Sequence, residues 1–155
     1  MPKIIRGILR LGFTDPWHLA HDALGTLYVA DRTGGALWKR DPTTLAWSNL
    51  VSLATCVGLP VDGSNNVYVV IGTTDPANIG RIRQISSSGS INSNWGTAMS
   101  PGQFCYPRAL ATPRLVDGSL DPAPTSLLME DAANSCIRPI TAGSIGGSCF
   151  FATGR

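Results

Sequence analysis

At 155 residues the chain has room for one domain with a sizeable core, and nothing in its length demands two. Charged residues are 14% of it, well below the roughly 25% of an average soluble protein, and a net charge of +2 is too small to argue for nucleic acid or an anionic membrane. Disorder is excluded by an apolar content of 43% in regularly spaced clumps, and 17 Gly and 11 Pro without helical periodicity describe an all-β chain of short strands.

No apolar run approaches the roughly 18 residues that a membrane-spanning helix needs. In Met1 to Phe13, MPKIIRGILRLGF, basic and apolar residues alternate without an uninterrupted apolar core, so no signal peptide is read there. Lys3 to Leu11 reads instead as an extended lead-in strand, with Gly7 and the lack of a cap weighing against a helix.

The first unit follows. Trp17, Leu19 and Ala20 form an inner strand, Gly25 turns the chain, and Leu27 to Ala30 alternate as a second strand. Leu37 and Trp38 mark a third strand, Asp41-Pro42-Thr43-Thr44 a turn, and Ala46 to Leu53 a fourth strand. The second unit repeats the scheme with Leu59 to Val61, a turn at Gly63 to Asn66, and Val67 to Ile71, whose four β-branched residues and one tyrosine signal a central strand. Arg81 to Ile85 is its third strand, and Ile91 to Trp95 follows a serine-rich turn. The third unit opens at GQFCYPRALA and carries an insertion with three prolines between Ala111 and Thr125, read as a protruding loop. Leu127 to Met129, Cys136 to Ile140 and Cys149 to Ala152 complete it. The unit boundaries are 14–53, 55–97 and 103–152, with 1–13 as lead-in, in one domain. A spacing of roughly 40 to 50 residues is what four-stranded propeller blades produce.

The pieces that carry this repeat are PWHLAHDALGTLYVAD (Pro16 to Asp31), VGLPVDGSNNVYVV (Val57 to Val70), and GQFCYPRALA with MEDAANSCIRPI. Together they resemble NHL repeats, the last pair being similar to those of secreted or organellar plant and algal proteins. Two positions depart from the pattern: Ile71 stands where an Asp is expected, and unit three lacks the Asp that closes its first strand. The resemblance implies a β-propeller segment of about three four-stranded antiparallel blades, half of a six-bladed ring or part of a larger propeller assembly. Each blade packs on two neighbours, so three in an open stack leave two apolar faces uncovered. The chain is then a fragment, closes by homodimerisation, or buries its open faces on partner chains.

Four cysteines, Cys56, Cys105, Cys136 and Cys149, allow three pairings, and none sits in a CxxC, which disfavours zinc. A hairpin joins Cys136 to Cys149, and neighbouring blades place Cys56 beside Cys105; disulfides there mean an oxidising compartment, whereas the alternative is four buried thiols in the cytoplasm. Asp22, Asp31, Asp62 and Asp131 recur at strand ends, where a carboxylate accepts turn N–H groups. His18 and His21 lie three apart and point to opposite faces of a strand, against a shared metal. Arg81, Arg83, Arg108 and Arg138 form a candidate basic rim on one face, with weak aromatic interleaving. No GxSxG, phosphate-cradling glycine loop or HExxH is present.

The sequence therefore points to a non-enzymatic structural or protein-interaction module that needs no cofactor, docks copies of itself or other subunits through open blade faces, and belongs to an extracellular or surface assembly. Two alternatives stand beside it: a propeller lyase or hydrolase whose site another chain completes, and an intracellular scaffold or RNA-binding module.

Overall fold

The computed structural model describes residues 12–53, 56–71, 81–95, 107–131, 136–141 and 144–145. Within these the chain is all-β, with twelve strands in three four-stranded antiparallel sheets. Blade 1 is β1 (Pro16–His21), β2 (Leu27–Asp31), β3 (Ala36–Arg40) and β4 (Trp47–Ser52). Blade 2 is β5 (Cys56–Val57), β6 (Val67–Ile71), β7 (Arg81–Ile85) and β8 (Ile91–Trp95). Blade 3 is β9 (Pro107–Ala111), β10 (Ser126–Asp131), β11 (Cys136–Thr141) and β12 (Ser144–Ile145). Sequence neighbours pair throughout, so each sheet is a simple meander.

Local chemistry explains the strands. The second strand of each blade has sheet neighbours on both sides, and in blade 2 it is the VYVVI run, buried at every position. The β1–β2 turn bends at Gly25 (φ 86°), and the corresponding turn of blade 2 bends at Asn65 (φ 63°), a residue type that tolerates the left-handed region.

The hairpin between the second and third strands gives a common register: Asp31 opposes Ala36, Ile71 opposes Arg81, and Asp131 opposes Cys136. Counting back from these pairs makes Tyr28, Tyr68 and Leu128 equivalent, and likewise Ala30, Val70 and Glu130. Alternation then splits each blade into two faces. Tyr28, Ala30 and Leu37 of blade 1 share a core with Leu59, Val61, Val67, Val69 and Ile85 of blade 2. The opposite face of blade 2, Tyr68, Val70 and Ile82, shares a second core with Leu127, Met129 and Ile140 of blade 3. The core is thus two slabs between three blades. Gly89, at φ 91°, brings the β7–β8 turn onto the carbonyl of Leu50 in blade 1.

Three sequence expectations change in detail. In blade 2 the inner strand is Cys56–Val57, and the expected Leu59 to Val61 segment contributes only a single bridge, Val61 to Val67. Gly58, at φ 74°, breaks the extended run between them. In blade 3 the fourth strand is Ser144–Ile145, pairing with β11; the expected strand at Cys149 to Ala152 lies outside the described residues, as does Lys3 to Leu11. The proline-rich insertion, expected as a protruding loop, is a small hairpin closed by a bridge between Arg114 and Leu120 and a turn at Gly118 (φ 84°).

Candidate functional site

The β1–β2 turn is built on Asp22. Its Oδ1 accepts N–H bonds from Leu24 (2.9 Å) and Thr26 (2.8 Å), and its Oδ2 accepts the Tyr28 hydroxyl at 3.1 Å. Blade 2 repeats the arrangement forty residues later. Asp62 Oδ1 takes Ser64 N (2.9 Å) and Asn66 N (2.8 Å), while Oδ2 takes Asn66 Nδ2 (2.9 Å) and the Tyr68 hydroxyl (3.0 Å). Both carboxylates are buried, and they spend three and four of their roughly four acceptor sites, respectively, on the turn and its tyrosine. Burial pushes Tyr28 up to about 12, reinforced by the adjacent Asp22 charge, and the same causes raise Tyr68.

Blade 3 keeps the carboxylate but loses its phenol. Asp121, which sequence inspection passes over, accepts Ala123 N at 2.9 Å, and Leu128 stands at the strand position of the two tyrosines. The inserted hairpin obscures the spacing that would have marked Asp121.

At the other end of the blades Asp31 is buried and accepts N–H bonds from Thr14, Asp15 and Gly34 at 2.8–3.0 Å. Burial pushes its carboxyl up, but these three donors outweigh it and hold the group below the usual carboxylate range. Asp131 is buried as well, and Arg138 Nε donates to its Oδ2 at 2.9 Å. The four arginines of the expected basic rim differ in their surroundings. Arg138 is committed to Asp131, Arg83 is half-buried with an Nε that has no hydrogen-bond partner, Arg108 is exposed, and the Arg81 side chain lies outside the described residues. Arg32, by contrast, stacks 3.9 Å from the centroid of Trp17 while Asp15 Oδ2 accepts its Nε and Nη2.

Between the three blades, at the end carrying the Asp22 and Asp62 turns, lies a cavity of about 660 Å³. Blade 1 supplies Ala20 and His21, blade 2 supplies Leu59 and Val61, and the inserted hairpin supplies Arg114 and Leu120. The hairpin is anchored to blade 2: Gly63 N donates to Asp121 O (2.9 Å), Ser64 Oγ to Pro122 O (2.8 Å) and Thr112 Oγ1 to Val61 O (3.0 Å). His21 Nδ1 lies 3.1 Å from the Asp22 carbonyl. A carbonyl only accepts, so Nδ1 carries the proton and Nε2 of the neutral ring keeps its lone pair. His18, on the opposite side of β1, is half-buried, and burial lowers its pKa. Among the described residues no group of three or more His, Cys, Asp or Glu is placed to hold a metal. Cys136 is buried and disulfide-bonded; the side chains of Cys56, Cys105 and Cys149 lie outside the described residues.

No protein-family model matches the chain, and no curated protein is significantly similar to it in sequence. Among solved structures it is similar to selenomethionine-substituted virginiamycin B lyase from Staphylococcus aureus, with a TM-score of 0.59 and 13% identity over 89% of this chain and 42% of that one. It is also similar to the catalytically inactive H270A form of that lyase with quinupristin, with a TM-score of 0.56 and 15% identity over 82% of this chain and 38% of that one. The chain therefore spans about two fifths of these seven-bladed propellers, the share that three blades occupy. At such identities the likeness shows the fold alone, and that fold is part of a β-propeller.

Proposed function

We propose that this chain is a non-enzymatic structural module of NHL-type blades that binds protein through its outer blade faces, in an extracellular or surface assembly. One observation carries the reading. Leu19 and Leu110 on the first strands of blades 1 and 3, and Leu59 in the segment that follows β5 in blade 2, occupy equivalent positions on the side facing the preceding blade. Leu59 is 6% exposed in the core shared with blade 1, and Leu110 packs against the core shared with blade 2. Leu19 faces outward with 73% of its surface exposed, and Trp17 beside it keeps 51%. A position that buries leucine at one internal junction and packs a half-buried leucine against the core at the other is built for blade packing, and at blade 1 it awaits a cover. The disulfide at Cys136 supports an oxidising compartment.

Hydrogen exchange of the β1 amides tests this. In dilute protein Trp17 to His21 exchange as an open edge; on association, or in the full assembly, they become protected, and Leu19→Asp abolishes that protection. Exchange of β1 that never changes with concentration or partner would remove the basis for the reading.

A second reading is favoured by the cavity and by the fixed tautomer of His21: an enzyme whose site another chain completes. Quinupristin, present in one of the similar structures, is the probe. Intact quinupristin after incubation fits the structural module; a new product by liquid chromatography, lost in His21→Ala, would replace it.

A further inference from the structure

Packing positions repeat from blade to blade, and the two outer faces depart from the repeat with opposite charge. On the side facing the following blade, Tyr28, Ala30 and Leu37 of blade 1 and Tyr68, Val70 and Ile82 of blade 2 are all fully buried. The register places Leu128, Glu130 and Ile137 of blade 3 at these positions. Leu128 is 43% exposed, and an exposed carboxylate, Glu130, stands where Ala30 and Val70 are sealed.

The side facing the preceding blade shows the converse. Val61 and Ile85 of blade 2 are buried there, as is Ile140 of blade 3. Blade 1 carries His21 at the position of Val61 and Arg40 at the position of Ile85 and Ile140. Alternation along β3 confirms the facing, since Lys39 reaches blade 2 through Ser87 O at 2.8 Å while Trp38 lies edge-on to Phe13 on the other side. Neither Glu130 nor Arg40 joins an ion pair among the described residues; the two pairs there are Arg32 with Asp15 and Arg138 with Asp131.

A charge at a packing position is costly beneath an apolar cover and favourable beneath one of opposite charge. The outer face of blade 3 offers an apolar surface with one anion, and the outer face of blade 1 offers Trp17 and Leu19 with a cation. We infer that the occupant of each is the other: blade 3 of one copy docks on blade 1 of a second copy, with Glu130 set against Arg40. This rests on the reading of the outer faces as interaction surfaces and names their partner. Two copies docked reciprocally close on themselves, whereas an angle that does not close gives a filament.

Charge reversal tests the pairing, read by sedimentation of the full chain, with circular dichroism as the check on folding. Wild type is expected to associate. R40E and E130K are each expected to associate at least about tenfold more weakly, because a like-charge contact replaces every attractive one between the copies. R40K is expected to keep wild-type affinity. An equimolar mixture of R40E and E130K is expected to recover it: the introduced charges are opposite, and the other contact of the mixed pair keeps the native Glu130 and Arg40. Wild type that associates together with variants that associate equally well would overturn this pairing and leave the interaction surfaces standing. Wild type that stays monomeric up to its solubility limit would overturn both.

Discussion

Tyr28 and Tyr68 each close a turn by giving a buried hydroxyl to a carboxylate that already holds two backbone N–H groups. Tyr28→Phe leaves Asp22 Oδ2 without that donor and is expected to cost about 1.5 kcal/mol; Asp62→Asn keeps one oxygen for the Ser64 and Asn66 amides but replaces the other, which accepts Asn66 Nδ2 and the Tyr68 hydroxyl, with an NH2 that only donates, and is expected to cost about 3 kcal/mol. Urea midpoints measure both, with unchanged slopes. The phenols also set the alkaline limit. Because the folded pKa of Tyr28 is raised to about 12 from an ordinary 10.0, its contribution is complete below pH 10 and is lost as pH rises through 12. In Tyr28→Phe that loss is expected to shrink, and an unchanged alkaline profile would deny the coupling. On the acid side His18 runs the other way. Its pKa is lowered from 6.5, so its contribution is present above that value and falls away as pH drops toward the folded pKa. At this scale the sequence was readable where a carboxylate serves the chain beside it: the recurrence of Asp22, Asp31 and Asp62 at strand ends already implied turn-building. It was unreadable for the pairing of Asp131 with Arg138, which spans a hairpin, and for Asp121, which lies in the insertion.

The inserted hairpin of blade 3 is the element that least resembles its counterparts. It settles on blade 2 at Gly63, where an added Cβ would lie 2.5 Å from Leu120 O and 3.0 Å from Pro122 N. Both neighbours are backbone and cannot step aside cheaply. Gly63→Ala is therefore expected to cost about 2 kcal/mol and to free the amides of Arg114 to Leu120 for hydrogen exchange, with blade 1 unaffected. Equal protection in the variant would show that the hairpin does not need this seat. Most strands were legible because alternation and β-branched runs report a pleated, half-buried surface, as in VYVVI. The exceptions share one cause. Gly58 and the insertion are set by contacts between blades, with Leu110 of blade 3 and Gly63 of blade 2 respectively, which a reading of one segment at a time does not contain.

Three blades with two internal slabs of core explain why a chain with so few charges folds as it does: its apolar residues serve two blade-to-blade junctions and two outer faces. The repeat was visible in the sequence through the pieces at Pro16, Val57 and Pro107, so the architecture followed from their spacing together with the resemblance they carry. The docking chemistry did not. Arg40 and Glu130 look like ordinary surface charges until the register shows that each replaces a residue buried at an internal junction, and the pairing of Arg138 with Asp131 likewise shows only in the folded chain. Light scattering of the native 16.3 kDa chain across a range of concentrations tests the central claim most directly. Outer faces built for blade packing predict a particle of at least twice the chain mass, which dissociates on dilution or on Leu19→Asp. A single 16.3 kDa species at every concentration, unchanged by that substitution, would contradict it.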